Sequence, residues 1–189
     1  MTGRCVYAEH NFFSADECET LIDQCGSKVE PGKIDFSEDV ESNIRRSNVH
    51  MITNVLKEAD LFYKINKKIW KINEAHFLYD IQTLNFLQFT EYSEAYSGKY
   101  EIHTDNWDSV DSDGWERTRK LSFTIQLSDP SKYKGGDLCF PDQPEYNPEV
   151  LKDRGTLIVF SSSERHGVTP VTRGDRYSLV GWVLGPYWR

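Results

Sequence analysis

Residues 119–140 read RKLSFTIQLSDPSKYKGGDLCF. A short apolar run, Leu121–Leu127, ends in a polar turn, and the Gly135-Gly136 pair then opens a second short run, Asp137–Phe140. Runs of this length between turn residues read as strands. The same texture fills the chain from residue 76 onward, in Phe77–Asp80, Thr83–Glu91, Tyr100–His103, Thr156–Phe160, Gly167–Val171 and Tyr177–Leu184. Turn signals separate the runs at Ser97-Gly98, Asp113-Gly114, Pro144, Gly155 and Arg173-Gly174-Asp175. About eight short strands in one stretch predict a β-sandwich or barrel.

Ahead of residue 76 the pattern is helical. Ser14-Ala15-Asp16-Glu17 has the form of a capping box and predicts a helix over 15–26. Val55, Leu56, Ala59, Leu61, Phe62, Ile65, Ile69 and Ile72 recur near helical spacing and predict a second over 54–74. Residues 27–50 are polar and mixed, with Pro31, Gly32 and a run of acids from Asp35 to Glu41, and predict a mobile loop. The expectation is one domain over 1–189, with 1–75 as helical support and 76–189 as the β core.

Composition narrows the function classes. The net charge is 22 − 30 = −8, which repels phosphate backbones and argues against general nucleic-acid binding. Cys5, Cys18, Cys25 and Cys139 form no C-x-x-C pair, so a structural zinc site is unsupported and free thiols in a reducing compartment are expected. The N-terminus lacks the apolar core of a secretory signal, and no run approaches ~18 apolar residues, so a cytoplasmic protein with no membrane partner is expected.

His103-Thr104-Asp105 carries the first chemistry. On a strand, positions i and i+2 share a face, so an imidazole and a carboxylate would converge. A second histidine would complete the two-histidine, one-carboxylate set of non-haem Fe(II) oxygenases. The pattern alone also fits a surface histidine beside a solvated acid. Of the other histidines, His10, His50 and His76 lie in or beside the helical half, whereas His166 follows the apolar run Thr156–Phe160. Ten residues later stands Arg176, a bidentate partner for a carboxylate, or equally a surface ion-pair residue.

In order, H-x-D, Lys120–Leu127, Gly135-Gly136-Asp137-Leu138, Gly155–Phe160, His166, Pro170-Val171 and Arg176 closely resemble the 2-oxoglutarate/Fe(II)-dependent dioxygenases of the prolyl 4-hydroxylase-like branch. RKLSFTIQLSDPSKYKGGDLCF and SSSERHGVTPVTRGDR carry the likeness most strongly. The resemblance spans about 83–184, and the first 75 residues match only as a helical layer. It implies a mostly β fold, a double-stranded β-helix (jelly-roll, cupin-like) core packed on N-terminal helices. It implies Fe(II) held by His103, Asp105 and His166, with 2-oxoglutarate and O2 as co-substrates and ascorbate as a helper. Arg176 matches the residue for the distal carboxylate of 2-oxoglutarate, and with the three ligands makes up the catalytic set. Tyr92, Tyr100, Gln126 and Ser178 match positions near the co-substrate, Gln126 standing where a relative has a tyrosine; the Tyr92–His103 spacing is longer than the family's usual one. The implied reaction hydroxylates a protein or peptide side chain, with proline the leading target, and releases succinate and CO2. Asp105 favours hydroxylation over halogenation, since related halogenases lack that carboxylate. A free amino acid or other small molecule as substrate, and a non-catalytic jelly-roll binding module, are the alternatives.

Trp107 and Trp115 are candidates for a substrate groove, with Tyr100, whereas Trp182, inside a strand, is expected in the core. Arg45-Arg46 is a candidate for substrate contact, with a solvated charge pair the favoured reading. The acid-rich stretch from Asp105 to Glu116 fails the spacing of a calcium loop and is expected to flank the site mouth, where it would attract a basic peptide.

Overall fold

The computed structural model describes residues 6–32, 43–53, 56–110 and 116–188. In chain order they form β1 (Val6–Glu9), α1 (Ala15–Cys25), β2 (Glu30–Pro31), β3 (Arg45–Arg46), β4 (Asn48–Ile52), α2 (Ala59–Ile72), β5 (Leu87–Ser93), β6 (Lys99–His103), β7 (Asp108–Val110), β8 (Glu116–Gln126), β9 (Lys134–Gly135), β10 (Leu138–Cys139), α3 (Pro148–Leu151), β11 (Leu157–Ser161), β12 (His166–Val168), β13 (Val171–Arg173) and β14 (Asp175–Gly185).

Among the described residues, the strands form a major antiparallel sheet ordered β1-β11-β8-β14-β5-β4-β2, with β7 added on β8. A minor sheet runs β10-β12-β6-β3, and β13 pairs with β9. This is the double-stranded β-helix that the resemblance implies.

Strand parity divides the major sheet into two chemistries. Leu121, Phe123, Ile125 and Leu127, with Leu157, Val159, Leu179 and Val183, join one buried cluster with the helices. That face is covered by Cys18, Leu21 and Cys25 of α1 and by Phe62, Ile65, Ile69 and Ile72 of α2, each set at helical spacing. Each fully buried Leu, Ile or Phe contributes ~1.5–3 kcal/mol. The intervening residues face the minor sheet, and they include polar Ser122, Thr124, Arg176 and Ser178, all buried. The capping box of α1 is complete: Ser14 Oγ accepts from the Glu17 N–H, and Glu17 Oε2 accepts from the Ser14 N–H.

Several local expectations are corrected. Phe77–Asp80 is not a strand: α2 runs into a wide π-type turn, Asn73–Phe77, capped by Leu78 with a left-handed backbone. The Asn73 amide then clips the Tyr79 backbone through both N–H and C=O, replacing a strand partner. The expected loop over 27–50 contains β2, β3 and the start of β4; its acid run, 33–42, lies outside the described residues, as do 54–55, and α2 begins only at Ala59. The supporting half is therefore not only helical, because β1 pairs with β11 and β4 with β5. Gly167–Val171 splits into β12 and β13, which enter different sheets on either side of Pro170. Cys18, Cys25 and Cys139 are free thiols as expected, and Cys5 lies outside the described residues.

Candidate active site

His103 ends β6 and His166 begins β12, and the two are directly paired across the minor sheet. Asp105 lies two residues beyond β6, where its N–H donates to the Ser162 carbonyl at 2.9 Å. Its carboxylate reaches both imidazoles, Oδ1 to His103 Nε2 at 3.5 Å and Oδ2 to His166 Nε2 at 3.4 Å. Ligand atoms ~2.1 Å from one ion stand about 3.0–3.4 Å apart for angles from square to tetrahedral, so the spacing fits a shared cation. Among the described residues this is the one cluster of three or more such donors drawn together, all within 4.8 Å of one another.

The protonation states favour ligation. His103 Nδ1 lies 2.7 Å from the Glu101 carbonyl and His166 Nδ1 3.0 Å from the Glu164 carbonyl. A carbonyl only accepts, so each Nδ1 carries the proton and each Nε2 is a lone pair aimed at Asp105. Burial pushes His166 below its ordinary value against the pull of Asp105, which keeps it neutral. Burial alone would raise the Asp105 carboxyl, but His103 and His166, once protonated in the metal-free site, hold it well below the usual carboxylate range by a hydrogen bond and by their charge, helped by the Ser122 hydroxyl.

A cavity of about 700 Å³ opens beside this cluster, between the two sheets. At one end of β14 stands Arg176, 1% exposed, with its Nη2 donating to Gln126 Oε1 at 2.9 Å and its Nε and Nη1 buried without partners. Tyr92, opposite it on β5, presents its ring face 5.3 Å from the guanidinium carbon. Orphaned buried donors on a cation are rare and mark a place for an anion. From Arg176 the wall continues along alternate residues of β14: Ser178, Val180, Trp182 and Leu184 all line the cavity. Eight residue steps of strand make this wall roughly 26 Å long.

The structure brings His103, Asp105, His166, Arg176, Tyr92, Tyr100, Ser178 and Trp107 onto one cavity. The Tyr100 ring stacks on His103, centroids 3.7 Å apart. Gln126 is not on the cavity wall; its side chain is committed to Arg176. Trp115 lies outside the described residues, and His10, His50 and His76 are not part of the site. Two expectations are overturned. Trp182 is half-buried and faces the cavity, its ring 4.2 Å from the Arg119 guanidinium and 5.7 Å from the Phe86 ring. Arg45 is buried, not solvated: β3 pairs with β6, which sets its guanidinium 5.0 Å over the Tyr100 ring, and its Nε donates to Ser47 Oγ. Arg119 and Phe86 also line the cavity and had no motif to mark them; Trp182 shares the strand parity of Arg176, and that signal was available.

A double-stranded β-helix that presents two histidines and a carboxylate beside a buried arginine defines a non-haem metal oxygenase site. Residues 87–184 match the family model of the 2OG-Fe(II) oxygenase superfamily, and the chain belongs to that superfamily. A PKHD-type hydroxylase of Shewanella sp. (strain MR-4) is 34% identical over 176 residues, 92% of this chain and 75% of that one. A PKHD-type hydroxylase of Maricaulis maris (strain MCS10) is 46% identical over 67 residues, 35% of this chain and only 30% of the relative's length. Among solved structures, a prolyl-4-hydroxylase of Pseudomonas putida superposes with a TM-score of 0.70 at 20% identity, over 99% of this chain and 95% of that one. The viral collagen prolyl hydroxylase of Paramecium bursaria Chlorella virus-1, solved with 2OG, gives 0.67 at 21% identity over 97% of each chain.

Proposed function

We propose that the protein hydroxylates a prolyl residue within a polypeptide, and that residues 1–189 work as one catalytic domain. His103, Asp105 and His166 would hold Fe(II), and Arg176 would receive the distal carboxylate of 2-oxoglutarate. When bound, iron and 2-oxoglutarate would, with O2 as the oxidant, supply the chemistry that turns a C–H into a C–OH and releases succinate and CO2. The chain's own residues do the positioning. The Glu101 and Glu164 carbonyls fix the tautomers of the two histidines. Ser162 and Ser122 seat Asp105. Arg176 and the Tyr92 ring close the inner end, and Trp182, Arg119 and Phe86 form the aromatic and cationic outer wall.

One observation carries the polypeptide reading over a free amino acid: the wall along β14 continues past the histidines to Leu184, farther than a single amino acid needs. The curated relatives are named hydroxylases, and the structural neighbours, named prolyl hydroxylases, support proline as the target. The unpaired Cys18, Cys25 and Cys139 support a reducing, cytoplasmic setting.

The test has two stages. Anaerobic Fe(II) and 2-oxoglutarate added to the metal-free protein should give the visible absorption band of the chelate, lost in His103→Ala. Proline-containing peptides and free proline would then be supplied with O2 and followed by mass spectrometry for the gain of one oxygen atom. Hydroxylation of free proline alone would overturn the polypeptide reading. A chelate with no turnover of any substrate would favour a binding module.

A further inference from the structure

We propose that Gln126 is a positioning residue for Arg176, and that the pair sets the chain length of the 2-oxoacid the site accepts. This rests on the assignment of Arg176 to the distal carboxylate. A guanidinium has only donors, so an amide that faces it must present its oxygen. Gln126 does so, with Oε1 accepting from Nη2 at 2.9 Å, and neither side chain is more than 2% exposed. Gln126 is itself fixed at both backbone ends. Its N–H donates to the Thr156 carbonyl at 3.0 Å, and its carbonyl accepts from the Gly155 N–H at 2.7 Å and from the Cys18 thiol. The anchor is therefore tied to the turn that leads into β11 and to α1.

The arginine stem is confined as well. Gly136 has a left-handed backbone, φ +62°, and a Cβ there would come within 3.0 Å of Arg176 Cδ. Buried Tyr133 interacts with the guanidinium, and Tyr92 covers it from β5. A free arginine could follow a carboxylate to several depths. One pinned at Nη2, at its stem and at its ring face meets a carboxylate at one depth only. Gln126 is absent from the cavity wall, so it acts through Arg176 and not by touching the ligand. The five-carbon 2-oxoglutarate then fits, and oxaloacetate and 2-oxoadipate, one carbon shorter and longer, do not.

Gln126→Leu and Gln126→Glu test this. Each protein, loaded anaerobically with Fe(II), is titrated with the three 2-oxoacids and followed by the chelate absorption; Fe(II) affinity is measured separately without 2-oxoacid. In Gln126→Leu, 2-oxoglutarate binding should weaken roughly tenfold, the lower end for a hydrogen bond to a charged group. Its preference over the other two acids should shrink, with Fe(II) affinity unchanged. Gln126→Glu keeps the size but neutralises Arg176, so its loss should be larger, again with Fe(II) affinity kept. Unchanged 2-oxoglutarate affinity in Gln126→Glu overturns the proposal, as does equal weakening of all three acids and of Fe(II) in both variants. If the wild type binds metal but gives no band, the assignment of Arg176 itself falls.

Discussion

Replacing Arg176 by methionine separates a group held ready for a ligand from a group that holds the fold. In the ligand-free protein the guanidinium is buried with Nε and Nη1 unpartnered. Each orphaned donor costs about 1–3 kcal/mol, and burial of the charge adds to that. Methionine removes these penalties. It also strands Gln126 Oε1, about 1–3 kcal/mol, and loses the contact with the Tyr92 ring, about 0.5–2 kcal/mol. Gains match or exceed losses. The ligand-free variant should therefore unfold no more than about 1 kcal/mol more easily than the wild type, a shift within ~2–4 °C, and an upward shift is allowed. Ile65→Ala, at a fully buried position under the sheet, is the control and should lose ~2–5 kcal/mol. Binding should respond in the opposite way. Breaking a buried ion pair costs about 3–5 kcal/mol, so 2-oxoglutarate affinity should fall a hundredfold or more. Thermal unfolding of the metal-free proteins by circular dichroism and anaerobic titration of the chelate band read the two quantities. If Arg176→Met unfolds as early as Ile65→Ala, Arg176 is a structural keystone and the reasoning fails; undiminished 2-oxoglutarate binding refutes it equally.

Other outcomes follow from single contacts. Trp182→Ala should keep the chelate band but raise the KM for peptide substrates, measured by succinate release, because Trp182 lies on the outer wall and away from Arg176. Ser14→Ala should lower stability by ~1 kcal/mol, seen in urea titration, with 2-oxoglutarate affinity unaltered, since it removes half of the α1 capping box far from the cavity. The ligand-free protein should lose stability as pH falls. The depressed His166 makes the unfolded chain take up its proton first, so stability drops as pH descends below the ordinary histidine value of ~6.5. The depressed Asp105 contributes stability above the ordinary carboxylate value of ~3.9, and this is lost only as pH falls towards its lowered value. Urea unfolding across this range should show a shallower slope in His166→Leu; an identical slope would remove His166 as its source.

Much of the fold was legible because the signals are local. Short apolar runs and glycine turns mark β8, β11 and β14, and the Ser14–Glu17 box marks the start of α1. The two-histidine, one-carboxylate cluster was legible because H-x-D spacing places two donors together and few other histidines exist. Arg45 was not, since its burial depends on the pairing of β3 with β6, a partner more than fifty residues away in the chain. Trp182 was misread because membership of a strand does not say which sheet face a residue takes, although its even spacing from Arg176 does. Asn73–Leu78 defeated the strand reading because a side-chain amide supplies the backbone's partners there.

The parity of β14 has a consequence for how such a site can change. Along this strand the odd positions answer to the helices and the even ones to the ligand, so a single strand carries two interleaved texts. Substitution can edit either one without disturbing the other. Insertion or deletion of one residue between Arg176 and Leu184 exchanges them on one side of the change, sending the arginine towards the core or Leu179 and Val183 into the cavity. Variation in this stretch should therefore accumulate by replacement and almost never by change of length, and a scan of substitutions should alternate, position by position, between variants that fail to fold and variants that fold but fail to turn over.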